Sequence, residues 1–198
     1  MQMYLSLIIF VATKKEEGMD PYRLYIKQTP FDGVSYDYSA PVVDTYTQWG
    51  IVCAESPYKR YGEPQNIASR VWFDDDGSDV YIPEYVTSKS YDAEFTFLCV
   101  GTESDVKGNV LAFHKYLLGK TGADGGASKG ARLLLYDDFN GIGWKDVYLK
   151  SFSSEALVMD NGDDEVKLKF KMTFSVNDPV TPITRTVSHG HVTLIVGE

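Results

Sequence analysis

The 198-residue chain carries 28 acidic side chains against 19 Lys and Arg, for a formal net charge of −9. An acidic surface repels phosphate backbones, which excludes tight non-specific binding of nucleic acid. A chain of this length suits one domain that buries roughly 70% of its unfolded surface. Its 14 Tyr, 10 Phe and 3 Trp suit pleated sheet.

The first segment is MQMYLSLIIFVATKKEEG. Its apolar run Tyr4–Ala12 is too short to cross a bilayer. It also lacks the basic n-region of a signal peptide, since Lys14 and Lys15 follow the run. Residues 1–18 therefore read as an arm or extension, with Leu7, Ile8 and Ile9 as candidate contacts to a neighbour. Met19 offers an alternative start, and residues 19–198 read as a single β-rich domain.

Tyr22–Lys27 alternates as a short strand, and a loop rich in Gly, Pro, Asp and Tyr follows over Gln28–Pro41. Thr45–Ala54 is expected as a strand with Gly50 at a bulge. Pro57, Gly62 and Pro64 punctuate an irregular connection over Glu55–Asn66. Val71–Phe73 and Val80–Ile82 flank the acidic turn Asp74–Asp79, which predicts a hairpin. From Tyr91 to Cys99, apolar residues alternate with Asp92, Glu94 and Thr96, the pattern of a half-buried strand.

One helix is expected over about Asp105–Leu118, with Ser104 as N-cap and Asp105 in the first turn. Val106, Val110, Phe113 and Leu117 form its apolar stripe, and Gly119 supplies the stop. Gly108 costs about 1 kcal/mol inside a helix, and the stripe outweighs it. The glycine-dense loop 119–130 is expected to stay mobile in a free subunit and to be ordered by a neighbour. Its Lys120 and Lys129 would steer it toward a partner's carboxylates.

Arg132–Tyr136, Lys145–Phe152 and Ser154–Met159 read as strands. Asn161-Gly162 marks a tight turn before the best strand, Glu165–Val176. There Val166, Leu168, Phe170, Met172, Phe174 and Val176 alternate with Lys167, Lys169, Lys171, Thr173 and Ser175. Such lysines either guard a strand against edge pairing or meet the acidic face of a neighbour. NDPVTP breaks the strand, and Val192–Val196 forms a last one. The sum is an α+β, mainly β domain of eight to ten strands, sandwich- or barrel-like, with one helix packed on the sheet.

Motifs that carry chemistry do not assemble. Cys53 and Cys99 lie far apart in apolar runs and read as buried reduced thiols. In GKT at Gly119–Thr121 the first P-loop glycine would fall at His114, and the segment ends a helix rather than opening one. Asp74, Asp75, Asp76 and Asp79 lack the calcium-loop Glu, since Tyr85 stands in the twelfth position. His189-Gly190-His191 has no identifiable third metal ligand and reads as a polar turn. No nucleophile elbow is present. The expectation is a non-enzymatic protein with no cofactor and no metal.

Three stretches carry a resemblance: VVDTYTQWGIVCAESPYK, SYDAEFTFLCVG with the helix after it, and WKDVYLKSFSSEALVMDNGDDEVKLKFKMTFSVNDP. Together they resemble structural proteins of phage tails, the tail-tube and distal-tail group of Bacteroides-like prophages. The resemblance implies a tail-tube or distal-tail/baseplate subunit that forms rings with itself and other tail proteins. It also implies passage of DNA through a lumen without sticking, and a virion location after assembly in the bacterial cytoplasm. It transfers no functional residue. The alternative is a small ligand- or carbohydrate-binding β-sandwich, on which exposed Tyr and Trp stack on sugars.

Overall fold

The computed structural model describes residues 22–74, 76–159 and 165–197. Leu7, Ile8, Ile9, the rest of 1–18 and the Asn161-Gly162 turn lie outside the described residues. Eleven strands and two helices are present among them. The strands are β1 (Leu24–Gln28), β2 (Val43–Asp44), β3 (Ile51–Glu55), β4 (Ser69–Arg70), β5 (Asp79–Val80) and β6 (Tyr91–Gly101). They continue as β7 (Leu133–Asp137), β8 (Ile142–Met159), β9 (Val166–Asp178), β10 (Ile183–Ser188) and β11 (His191–Val196). The helices are α1 (Thr45–Trp49) and α2 (Glu103–Leu117). The domain is α+β and mainly β.

Seven strands form one antiparallel sheet in the order β2-β1-β7-β8-β9-β6-β3. Within it the β9–β6 ladder is unbroken from Tyr91↔Val176 to Gly101↔Val166. Bulges interrupt β3–β6, β7–β8 and β8–β9, and each extra residue bends its strand and adds twist. One bulge places Asp146 at φ 52, beside Arg132, with which it forms an ion pair. The sheet thereby curls into a half-barrel, and the helices fill its concave side.

The strand periodicity read from the sequence holds. Tyr91, Ala93, Phe95, Phe97 and Cys99 of β6 are buried against Phe170, Met172, Phe174 and Val176 of β9. Phe95 meets Trp144 and Phe174 edge-on at 5.3 and 5.4 Å, a preferred aromatic geometry. The helical stripe is also buried: Val106, Val110, Phe113 and Leu117 join the same core, with Tyr116 beside them. Thr102 caps α2 in place of the expected Ser104, its hydroxyl accepting from the Asp105 N–H at 3.2 Å. Gly119 (φ 65) follows the helix, and the Gly119 and Lys120 N–H groups donate to the Tyr116 and Lys115 carbonyls, a Schellman ending.

Three further expectations are corrected, and one strand is added. Thr45–Ala54 is not one strand: its first half is α1. Asp44 caps α1 by accepting from the Tyr46 N–H at 2.9 Å and the Thr47 hydroxyl at 2.9 Å, and Gly50 (φ 64) ends it. Trp49 is thereby turned onto Phe113 and Tyr116, with ring centroids 5.0 and 5.1 Å apart. The two strands expected over 145–159 are the single strand β8, bent at its bulges. The acidic hairpin pairs Ser69↔Val80 and Arg70↔Asp79, leaving Val71 and Phe73 beyond the ladder. Finally, β10 was not expected. It pairs with β11 through a turn at His189 (φ 51) and Gly190 (φ 78), the signs of a type I′ turn. This hairpin packs Ile183 and Leu194 onto Tyr25 and Leu134, covering the β1–β7 half of the convex face.

Candidate assembly interface

Between β3 and β6 the chain leaves the sheet as a long arm, and its root is closely built. Lys59 carries the junction: its carbonyl accepts from the Tyr91 hydroxyl and from the Trp144 indole N–H, each at 3.0 Å. Its ammonium lies 4.5 Å from the Tyr91 ring centroid, a cation–π contact. Upstream, the Ser56 hydroxyl donates to buried Asp137, and Asn140 Nδ2 donates to both at 2.7 Å. A Cβ on Gly62 would stand 2.1 Å from the Lys89 carbonyl oxygen, so the two legs approach closely only because this position is glycine.

Beyond the root the legs pair as a narrow ribbon. Lys89 N–H donates to the Glu63 carbonyl and Gln65 N–H to the Thr87 carbonyl, both at 2.7 Å. Tyr81 N–H donates to the Ala68 carbonyl at 3.2 Å, and β4–β5 completes the ladder. The described residues of 63–87 are all exposed except half-buried Pro83. Yet the ribbon carries Ile67, Val71, Trp72, Tyr81 and Ile82, and Phe73 is 100% exposed. The Arg70 guanidinium lies 3.4 Å from the Trp72 ring centroid. A two-stranded ribbon without a core is marginal in water, and exposed aromatic side chains at this density are unusual on a subunit's free surface. Among the described residues none of these side chains belongs to a core cluster.

The lysines predicted as contacts fall on two separate elements. Lys167, Lys169 and Lys171 share the convex face of β9, opposite Val100, Leu98 and Thr96 of β6. Lys171 lies 3.1 Å from Glu94. Lys120 and Lys129 are exposed near the two ends of the 119–130 loop.

That loop is not left to order itself. The buried Gln28 amide donates to the Tyr116 carbonyl at 2.8 Å and the Thr121 carbonyl at 3.0 Å, and accepts from the Lys129 N–H at 2.9 Å. Gln48 donates to the Ala123 carbonyl at 3.0 Å, and Gly122 N–H bonds Gly126 O at 2.9 Å. The loop for which a neighbour's support is expected thus also receives hydrogen bonds from Gln28 and Gln48 of its own subunit.

Both cysteines are buried free thiols. Burial pushes Cys99 up to about 11 and Cys53 higher still, where Asp137 and Glu55 add to the effect. Such thiols are poor nucleophiles. GKT closes α2 through Gly119 rather than opening a helix. His114 lies against the Phe152 ring at 5.5 Å. Among the described residues no group of His, Cys, Asp and Glu gathers to hold a metal ion, and no helix is long and apolar enough to cross a membrane. An open cleft of about 490 Å³ lies between β2, α1 and β11, lined by Arg23, Asp44, Gln48, Asp124 and His191.

Of the arm the sequence shows only the hairpin about Asp74–Asp79, which β4 and β5 bear out one to two residues closer to the root. Its full length escapes a sequence reading because its exposed side chains follow no buried period; the available signal was a stretch of some thirty residues carrying Tyr58, Tyr61, Trp72, Phe73, Tyr81 and Tyr85. No family model matches the chain, and no curated protein matches it. Among solved structures it is similar to the Dit protein (gp 19.1) of SPP1, described as a paradigm of the hub adsorption apparatus in Gram-positive-infecting phages. The identity is 12% and the TM-score 0.49, over 80% of this chain and 52% of that one. The chain thus spans about half the length of the structure it matches.

Proposed function

We propose that the protein is a non-enzymatic structural subunit of a phage tail, a tail-tube or distal-tail/baseplate component that forms rings with itself and with other tail proteins. The observation that carries the reading is the arm: a rooted ribbon whose aromatic side chains are exposed and contribute nothing to the subunit's own core. Fixing its root in advance lowers the ordering cost of association. The sequence resemblance supplies the tail setting, and the net charge of −9 suits a conduit that DNA traverses without adhering. Leu7, Ile8 and Ile9, with Lys120 and Lys129, are assigned to secondary contacts in that assembly.

The test compares the full chain with a variant in which residues 63–88 are replaced by a short Gly-Ser turn. The full chain should give rings or tubes in negative stain and sediment as an oligomer. The variant should remain monomeric with a melting temperature close to that of the full chain. A full chain that stays monomeric at micromolar concentration would overturn the reading. The alternative, a small ligand- or carbohydrate-binding module, has the open cleft beside Arg23 and His191 in its favour. Under that reading the monomer would bind a sugar array, and His191→Ala would abolish the binding.

A further inference from the structure

A subunit that assembles through its arm needs an open surface to receive the tip. Resting on the assembly reading, we infer that the arm tip of one copy seats at the arm root of the next, in the recess that Arg60, Tyr61 and Val180 border.

The root is built and open. Gly62 brings the first leg of the arm against the segment that follows β9, where an added Cβ would stand 3.0 Å from Pro179 Cβ. That segment is fixed from below. Asp178 accepts from the Val180 N–H at 3.3 Å, the Thr181 N–H at 3.0 Å and the Thr181 hydroxyl at 2.7 Å, and it pairs with Lys145 at 2.9 Å. A Cβ on Gly143 would stand 2.3 Å from Ile183 Cβ, so β8 passes directly beside it. Between arm and segment lies a shallow recess of about 60 Å³, lined by Arg60, Tyr61, Ile142, Val180 and Pro182 among others. Tyr61 is 65% exposed and Val180 57% exposed, so solvent alone covers them in the free subunit. Arg60 is the charged group among the described residues of the lining. It too is exposed, and among the described residues no hydrogen bond or ion pair engages it.

The tip supplies the complement. Asp74, Asp76 and Asp79 are exposed beside Trp72, Phe73 and Tyr81. A guanidinium takes a carboxylate through two parallel N–H donors and also stacks on an aromatic face. Arg60 can therefore meet both features of the tip, while Tyr61 and Val180 offer apolar contact to Phe73. The tip does not reach its own root, because bonds from the Glu63–Lys89 level to the Arg70–Asp79 level keep the legs paired. From Gly62 to Phe73 an extended leg spans at most about 40 Å, which sets the reach to a neighbour. Tip and seat are different surfaces of one subunit, so the contact is heterologous. Repeated head to tail, it closes into a ring or continues as a tube.

The test perturbs each side of the contact. One variant carries Arg60→Glu, a second Val180→Asp, and a third Asp74→Lys, Asp76→Lys and Asp79→Lys. All of these side chains are exposed, so the fold should persist; circular dichroism and thermal melts check that it does. In sedimentation over a concentration series, each variant alone should assemble at least about tenfold more weakly than the unmodified chain. An equimolar mixture of the Arg60→Glu and Asp→Lys chains should recover assembly, because each tip then meets a root of opposite charge. Should a seat variant misfold, Arg60→Gln or Val180→Ser takes its place and should weaken assembly to a smaller degree. Seat variants that assemble like the unmodified chain overturn the seat, and so do mixtures that stay dissociated. Loss of assembly on shortening the arm then leaves the assembly reading standing. An unmodified chain that never associates overturns both.

Discussion

Gln28→Ala is expected to cost about 2–4 kcal/mol, because this one amide holds the helix end and both ends of the 119–130 loop together. Its Nε2 donates at 2.8 Å to the Tyr116 carbonyl and at 3.0 Å to the Thr121 carbonyl, and its Oε1 accepts the Lys129 N–H at 2.9 Å. Tyr116 O keeps a second donor, the Gly119 N–H at 3.0 Å. The loss therefore falls on the Thr121 carbonyl and the Lys129 N–H. Each becomes a partly buried group without this partner, at roughly 1–2 kcal/mol. Equilibrium urea unfolding followed by tryptophan fluorescence gives the global cost, and amide exchange at Lys129 shows whether the loop opens first. Gln28→Glu separates the two roles. It still accepts from Lys129 but sets a carboxylate against two carbonyl oxygens, so its deficit should shrink when acid protonates it. A loss below about 0.5 kcal/mol, with Lys129 exchange unchanged, would refute the reasoning and show that Gln28 does not hold the loop.

Phe113→Ala should lose about 3–5 kcal/mol, since the ring is fully buried between Trp49 and Phe97; a loss under about 1 kcal/mol would show that the stripe is not core. Gly119→Ala should cost at least about 1–2 kcal/mol, because φ is 65 and the new Cβ would meet Gly130 at 2.6 Å; an unchanged melting temperature would contradict this. Burial alone would raise Asp178, but hydrogen bonds from Thr181, Lys145 and the Thr181 and Val180 N–H groups outweigh it and hold the carboxyl below its ordinary value. Its contribution is thus present above the unfolded value of about 3.9 and is lost as pH falls through the lower folded value. Asp178→Asn should flatten the acid limb of the melting curve against pH, and parallel curves would argue against that role.

What was legible in the sequence is what burial writes with a period. β6 and β9 show their alternation because each has one face in the core, and α2 shows its stripe for the same reason. The segment from Asp44 to Gly50 misled because Tyr, Thr and Trp favour strands. There the cap at Asp44 and the left-handed glycine overrode propensity. Ile183, Arg185 and Val187 do alternate with Thr184, Thr186 and Ser188 in β10, but the two prolines just before them masked the strand. The bonds of Gln28 cross 88 to 101 positions of chain, and no local pattern encodes such a contact. Beyond its hairpin the arm was least visible, because an exposed ribbon carries no buried period.

Tryptophan accessibility tests the central claim most directly. Of the three tryptophans, Trp49 and Trp144 are buried in the core and Trp72 stands exposed on the arm. In dilute monomer, acrylamide should quench one emitter of three, and Trp72→Phe should abolish that fraction. As concentration drives assembly, the quenchable fraction should vanish and the emission should shift to the blue. Oligomers in which Trp72 remains as quenchable as in the monomer would contradict assembly through the arm.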